Sequence, residues 1–370
     1  MKYKIKQIEP YFNRLEKIHL NEVINSNFIT EGKYTKIFED KIKNFTKAKY
    51  AICVSNWTLG LYCCAKSLKL KYGDEVIIPN ITFAACVSAM LLANLKVKLC
   101  DVNAEDYSLN INMAKNLISK NTKAIMIVHL FGQSSNIKEI KKFAKENNLK
   151  IIEDAAQAFG STFKGKKLGT FGEVGGFSFY GNKLITTGEG GVVVTNSKKI
   201  ANEVIKLKNY GRLKKGNFFH NSVGYNFKFN DLCASIGIAQ IKKIRWMISK
   251  KKKIYQNYYN KLKNIKEIKF SKILPNSKPV NWFVVIHVKK KKKLMTYLKN
   301  KGIETRDFFF PMNEQKCFIN DKNVLNTGND FVSSKKLYKS GLCLPSSINL
   351  TQKQLSLVIK NIIYFYENRH

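Results

Sequence analysis

The sequence contains no apolar run long enough to cross a membrane. Polar residues interrupt every hydrophobic segment before the roughly 18 residues that a spanning helix needs. The N-terminal segment MKYKIKQIEP also lacks the apolar stretch of a signal peptide. We therefore expect a cytoplasmic protein without a membrane span.

Metal-binding cysteine pairs are absent as well. The eight cysteines include no C-x-x-C pair of the kind that zinc sites use. Most of them stand inside apolar segments, as Cys63 and Cys64 do in GLYCCAKSL. We expect reduced, buried thiols and no metal site.

Acidic residues are scarce, with 26 Asp and Glu against 65 Lys and Arg and a formal net charge of +39. Such an excess is typical of proteins that bind nucleic acids or anionic membranes. The lysines, however, are spread along the whole chain, and no nucleic-acid-binding signature accompanies them. We therefore expect no nucleic-acid partner and attribute the charge to a general lysine bias.

From Tyr50 onward, short apolar runs alternate with helical patterns. YAICVS, DEVIIP, KVKLCDV and AIMIVH have strand length, and segments such as IKEIKKFAKENN separate them. Apolar strands separated by helices are typical of a parallel sheet covered on both faces. Beyond Arg245, lysine-rich helical segments flank a further strand-like run, PVNWFVVIHVK. We predict an α/β protein with a large domain over residues 1–245 and a smaller α/β domain over 246–370.

Asp154 ends the apolar run LKIIED, where we expect a buried strand. A buried carboxylate is costly unless a cation or hydrogen-bond donors offset it. The protonated pyridine nitrogen of pyridoxal 5'-phosphate would be such a cation. The alternative is that Asp154 caps a helix, with Gln157 at the third helical position.

Lys183 lies in GFSFYGNKLITTGEGGVVVTN, between an aromatic strand and a glycine-rich turn. Burial there would lower the pKa of its amine and make it a nucleophile, as a Schiff-base lysine requires. The alternative is an exposed surface lysine, which is what most lysines are.

A phosphate site is indicated by VSNWT, where a strand ends and a helix opens at about Thr58. The start of a helix offers backbone N–H groups and the positive end of the helix dipole to an anion.

Together these segments resemble the DegT/DnrJ/EryC1/StrS family of pyridoxal-phosphate-dependent nucleotide-sugar aminotransferases. The similarity rests on IIEDAAQAFGSTFKGKKLGTFGEVGGFSFYGNKLITTGEGGVVVTN, and GDEVIIPNITFAA, IVHLFGQ and VGYNFKFNDLCASIGIAQ match in the same order. It implies the aspartate aminotransferase fold (fold type I) and a homodimer with shared active sites. It also implies L-glutamate as amino donor, with pyridoxamine 5'-phosphate as the second cofactor form.

The resemblance implies a role for each matching residue. Lys183 would form the Schiff base and move the proton at the reacting carbon, while Asp154 would keep the pyridine nitrogen protonated. The other implied cofactor contacts are Trp57 and Thr58 at the phosphate, Ser178 also at the phosphate, Gln157 near the ring hydroxyl, Phe83 stacked on the ring, and Asn226 reaching the phosphate from the neighbouring subunit.

Three residues are expected near the substrate. His220 precedes Asn226 in the same loop, Arg306 suits a pyrophosphate or the glutamate carboxylate, and Asn313 stands where the family often has histidine. A solvated loop residue and a surface salt bridge are the alternatives for His220 and Arg306. Two more departures from the family pattern are Trp57, in place of a small residue, and Lys228, in place of arginine.

Three functions are left open. The first is amination at C-4 of a nucleotide-linked 4-keto-6-deoxysugar for surface glycan synthesis, with GDP-4-keto-6-deoxymannose expected and a UDP- or dTDP-linked ketosugar as the alternative. The second is a sugar dehydratase of the same fold, although such relatives replace the Schiff-base lysine with histidine. The third is a noncatalytic binding protein, which the set of Lys183, Asp154, Gln157 and Ser178 disfavours.

Overall fold

The computed structural model describes residues 3–213, 216, 218–220, 222–326 and 330–368. The helices are α1 (Arg14–Asn25), α2 (Lys33–Thr46), α3 (Trp57–Ser67), α4 (Ala85–Leu92), α5 (Ile111–Lys115), α6 (Ile137–Glu146), α7 (Lys198–Lys208), α8 (Asp231–Lys242), α9 (Ile244–Leu262), α10 (Lys291–Asn300), α11 (Val332–Ser340) and α12 (Gln352–Glu367). The strands are β1 (Tyr50–Val54), β2 (Glu75–Pro79), β3 (Lys96–Cys100), β4 (Thr122–Val128), β5 (Lys150–Asp154), β6 (Thr162–Phe163), β7 (Lys166–Lys167), β8 (Val174–Ser178), β9 (Gly191–Thr195), β10 (Ile268–Lys269), β11 (Ser277–Lys278), β12 (Val284–Val288), β13 (Arg306–Asp307), β14 (Val324–Leu325) and β15 (Gly341–Leu344).

An eight-stranded sheet forms the centre of the molecule, in the order β1-β9-β8-β5-β4-β2-β3-β14. All neighbouring pairs from β8 to β14 are parallel, and β9 is antiparallel to both β1 and β8. Strands such as EVIIP and GVVVT are buried at every position, because helices cover both faces of the sheet. The predicted α/β architecture with a mostly parallel central sheet is confirmed.

A second, antiparallel sheet in the order β10-β12-β15-β13 lies in the C-terminal part of the chain. Helices α9, α10 and α12 pack with it around a separate apolar cluster that includes Tyr258, Ile286 and Phe365. Ile5 joins that cluster from the N-terminus and pairs with Ile303, while β14 adds to the edge of the central sheet. The predicted domain boundary at residue 245 falls in the first turn of α9. The division into two domains at this residue stays a prediction.

Six of the eight cysteines are buried free thiols, whereas Cys233 is partly exposed and Cys317 exposed.

Within the described ranges, no helix has the length and apolar composition that a bilayer span demands.

Glu153 is a buried carboxylate in β5, immediately before Asp154. It accepts hydrogen bonds from the backbone N–H groups of Gly169, Phe171 and Gly172 at 2.5, 2.6 and 3.0 Å. His129 Nε2 lies 2.8 Å from the same carboxylate, and His129 Nδ1 accepts from the backbone N–H of Ser135. Burial alone would raise the pKa of Glu153, but the hydrogen bonds from His129 and the backbone outweigh it and hold the pKa below its usual value.

We expect Glu153→Gln to destabilise the protein by about 3 kcal/mol at neutral pH, since an amide presents an extra donor to N–H groups. A carboxylate whose pKa is depressed by folding stabilises the fold above its unfolded pKa, and this stability is lost as the pH falls through the folded pKa. The variant should therefore show a flatter loss of melting temperature between neutral and acidic pH. Glu146→Gln, at an exposed surface pair, is the matched control. Parallel acid profiles for Glu153→Gln and the wild type would contradict this account.

Candidate active site

The carboxyl ends of β1, β2, β5 and β8 face the same edge of the central sheet, because β1 and β8 are both antiparallel to β9. Ligands of open parallel sheets bind at this edge. A cavity of about 640 Å³ opens there. Eight residues singled out from the sequence line it: Trp57, Thr58, Phe83, Asp154, Gln157, Ser178, Lys183 and Arg306.

Asp154 is the buried carboxylate of this cavity, with 6% of its surface exposed. Its Oδ1 accepts from Trp57 Nε1 at 2.8 Å and from the backbone N–H of Ala156 at 2.9 Å, and its Oδ2 accepts from Cys86 Sγ at 3.0 Å. A carboxylate can accept about four hydrogen bonds, so one position is left. No Lys, Arg or His among the described residues forms an ion pair with it.

The alternative role of Asp154 as a helix cap is wrong. Turns rather than a helix follow β5, so Gln157 occupies no helical position. Gln157 Oε1 instead accepts from the backbone N–H of Phe131 at 2.6 Å, which orients the amide at the cavity wall.

Trp57 begins α3, where Asn56 Oδ1 caps the helix by accepting from the backbone N–H of Leu59 at 3.0 Å. Trp57 is absent from the residues with positive φ, so a large side chain is compatible with its backbone. The indole ring fits because glycines face it: a Cβ at Gly176 would lie 2.5 Å from a ring atom, and one at Gly60 would lie 2.4 Å away. Because the indole ring is accommodated without distorting the backbone, the N–H groups at the start of α3, beside Thr58, can still bind an anion.

Lys183 lies in the loop between β8 and β9, and its Nζ stands 4.0 Å from the centroid of the Trp282 ring. The pKa of Lys183 is lowered to about 8. Burial is the main cause and the positive charge of Arg306 adds to it, whereas Asp154 and the neighbouring Cys86 oppose the shift. At neutral pH, a larger fraction of Lys183 than of an exposed lysine therefore carries an unprotonated amine.

The remaining cavity residues supply apolar faces, a hydroxyl and a cation. Phe83 is 59% exposed above the cavity and meets Phe309 edge to face, and Ser178 ends β8. The Arg306 guanidinium lies 5.5 Å from the ring centroid of Phe283.

Three sequence-predicted residues lie outside this cavity. Asn226 is exposed and lines another depression together with Lys228, whose Nζ is 3.3 Å from Asn226 Oδ1. His220 is exposed, with Nδ1 2.6 Å from the carbonyl oxygen of Tyr210. Asn313 exchanges two hydrogen bonds with Asn80, at 2.7 and 2.9 Å. Their roles toward cofactor and substrate stay predictions.

Cys86 and Trp282 contact Asp154 and Lys183, respectively, and the sequence singled out neither of them for the site. Cys86 reaches Asp154 from α4, but FAACVSAM carries no signal beyond that of a buried helix. Trp282 lines the cavity and comes from PVNWFVVIHVK, whose apolar pattern predicts only a strand. Its aromatic pair, Trp282 and Phe283, was the available signal.

Residues 11–363 match the model of the DegT/DnrJ/EryC1/StrS aminotransferase family. The chain is 34% identical over 374 residues to a protein named GDP-perosamine synthase from Escherichia coli O157:H7, covering 100% of both chains. It superimposes on PseC of Helicobacter pylori, an aminotransferase involved in the biosynthesis of pseudoaminic acid, with TM-score 0.92 and 25% identity over 100% of both chains. The E. coli GDP-4-keto-6-deoxy-D-mannose-3-dehydratase with bound hydrated PLP shares the fold, with TM-score 0.91, 24% identity and coverage of 98% and 100%.

We expect Trp57→Phe to lower the stability of the cofactor-free protein by about 2 kcal/mol, because the Asp154 carboxylate stays buried with one donor fewer. Thermal unfolding of Trp57→Phe, Asp154→Ala and the double variant measures the coupling between the two side chains. The effect of Trp57→Phe should shrink when Asp154 is already alanine. Trp246→Phe, at a tryptophan that is 47% exposed, is the control. Equal effects in both backgrounds would show that the indole contributes packing alone.

Proposed function

The chain belongs to the DegT/DnrJ/EryC1/StrS aminotransferase family, and we propose that it transfers an amino group from L-glutamate to C-4 of GDP-4-keto-6-deoxymannose to form GDP-perosamine. It is a pyridoxal-phosphate-dependent aminotransferase acting on nucleotide sugars. One observation carries the proposal: a partly buried lysine with a lowered amine pKa and a buried carboxylate that forms no ion pair among the described residues line the same cavity.

The residues of the cavity fit pyridoxal 5'-phosphate. Asp154 has one free acceptor position and no ion pair among the described residues, which matches a protonated pyridine nitrogen. The start of α3 at Trp57 and Thr58, together with Ser178, would hold the phosphate, and Lys183 would bind the cofactor covalently. When bound, the cofactor supplies an electron-withdrawing ring that stabilises negative charge on the carbon bearing the transferred nitrogen.

Lys183 performs the proton transfers in this proposal. Its Nζ is an amine of lowered pKa, so it can take a proton near neutral pH and return it. Trp57 and Cys86 donate to the Asp154 carboxylate and orient it, and this carboxylate would hold a proton on the neighbouring ring nitrogen. Phe83 and Trp282 give the cavity beside this amine apolar walls.

Arg306 suits both anionic groups that must enter the cavity. Its planar guanidinium binds a carboxylate or a diphosphate with two hydrogen bonds. The side chain is exposed at the cavity wall, so an incoming ligand can reach it. We assign it the glutamate carboxylate and, alternately, the diphosphate of the nucleotide sugar.

A sugar dehydratase is less well supported than the aminotransferase. The relative of 34% identity is named GDP-perosamine synthase. Lys183 is also present where the sequence analysis expects histidine in such dehydratases.

The proposal includes a homodimer in the cytoplasm that supplies an amino sugar for a surface glycan such as O-antigen. Asn226 and Lys228 lie outside the cavity of their own chain, on an exposed surface. This placement suits a residue that completes the cavity of a second copy, with Asn226 at the phosphate.

Spectroscopy of the purified protein tests the reaction. Addition of pyridoxal 5'-phosphate should produce the visible band of lysine-bound cofactor, glutamate should remove the band, and GDP-4-keto-6-deoxymannose should restore it. Lys183→Ala should lack the band and lose activity by about a thousandfold or more. Lys198→Ala, at an exposed lysine at the start of α7, should behave like the wild type.

Restoration of the band by a UDP- or dTDP-linked ketosugar alone would reject the proposed acceptor and keep the amino transfer. Full activity of a folded Lys183→Ala variant would reject the assignment of Lys183.

Subunit mixing tests the shared site. Lys183→Ala and Asn226→Ala should each be inactive or strongly impaired alone. If the sites are shared, a mixed dimer holds one site with both native residues, so an equal mixture should regain about a quarter of wild-type activity. A mixture no more active than its components, after subunit exchange is verified by native mass spectrometry, would show that each chain completes its own site.

A further inference from the structure

Trp282 is fixed through every polar group it carries. Its backbone N–H donates to the carbonyl of Phe131 at 2.9 Å, and its indole Nε1 donates to the carbonyl of Asn182 at 2.7 Å. Its own carbonyl accepts from the buried amine of Lys251 at 2.7 Å. The side chain is 3% exposed. Trp282 therefore has little freedom to move relative to the cavity.

The same side chain contacts Lys183 in two ways. The indole N–H holds the carbonyl of the preceding residue, Asn182, and the ring face lies 4.0 Å from Lys183 Nζ. An ammonium above an indole face is attracted by the negative charge of the π system, and indole is the best of the aromatic rings for this contact. The contact stabilises the protonated amine and leaves the neutral amine unaffected.

We propose that Trp282 is a positioning residue for Lys183, in which the indole N–H holds the lysine loop and the ring face retains the free lysine as an ammonium ready to deliver a proton. This inference rests on the proposed function, in which Lys183 is free during part of the cycle. It assigns a specific task in the site to a side chain from the C-terminal part of the chain.

Several groups act on the charge of Lys183 besides the ring. Burial lowers its pKa to about 8, Asp154 and Cys86 raise it, and Arg306 lowers it. Replacing the ring by an aliphatic side chain keeps the wall apolar and removes both the favourable ring face and the N–H that donates to Asn182. The pKa of Lys183 should then fall by about half a pH unit to one unit.

The test uses the cofactor-free, full-length protein. Trace acetylation of Lys183 between pH 6 and 10, quantified by peptide mass spectrometry, gives the midpoint at which the amine becomes reactive. The midpoint should fall in the order wild type, Trp282→Phe, Trp282→Leu, because phenyl is a weaker cation binder than indole. Trp246→Leu, at the half-exposed tryptophan that packs on Tyr11, should leave it unchanged.

Trp282→Phe also separates the two contacts. It keeps an aromatic face but lacks the N–H, so backbone amide exchange in the peptide containing Asn182 should become faster while the midpoint moves only slightly. If Trp282→Leu does not fold, the midpoint and the exchange rate of Trp282→Phe alone test the proposal. A midpoint and exchange rate equal to those of the wild type would overturn the proposal, as would a higher midpoint in Trp282→Leu.

Neither measurement requires cofactor, glutamate or sugar. A shifted midpoint in a protein that shows no amino transfer would reject the proposed function and keep the role of Trp282. An unshifted midpoint in a protein that does transfer the amino group would reject the role of Trp282 and keep the proposed function.

Discussion

The site is organised around a carboxylate that the fold buries at the end of a central strand. A carboxylate buried there needs hydrogen-bond donors, and Trp57, Cys86 and Ala156 provide three of them to Asp154. One acceptor position of the carboxylate is left open. Among the described residues, no Lys, Arg or His forms an ion pair with Asp154 that would balance its negative charge. The cavity is thus prepared electrostatically for a cationic ring nitrogen before any ligand arrives.

Local packing explains how an indole reaches that carboxylate. Gly60 and Gly176 leave space beside the first turn of α3 that a Cβ would fill. Trp57 occupies this space, so the residue that begins the helix also donates to Asp154. The anion-binding start of α3 and the cation-binding carboxylate are consequently held at a fixed relative position, as a ligand with a phosphate at one end and a basic nitrogen at the other requires.

Lys183 experiences opposing influences from two parts of the chain. The central sheet supplies Asp154, which favours the ammonium, whereas the C-terminal part supplies Arg306, which disfavours it. Trp282 adds an apolar wall and a ring face that attracts the charge. The pKa of Lys183 therefore lies closer to neutral pH than the pKa of a solvated lysine. Such a pKa suits a group that must both accept and release a proton.

The sequence by itself determined the parallel α/β sheet, because parallel strands buried on both faces are nearly continuously apolar, as VIIP in β2 and AIMIV in β4 are. It also placed Asp154 at a strand end and Thr58 near a helix start, since such positions follow from local patterns, whereas the phosphate role of Ser178 followed only from the family resemblance. Only the tertiary structure decided that Cys86 and Trp282 belong to the site and that Asn313 bonds to Asn80. These contacts join residues distant in the chain, and their short-range patterns match those of ordinary core helices and strands, so only the packing of the elements distinguishes them.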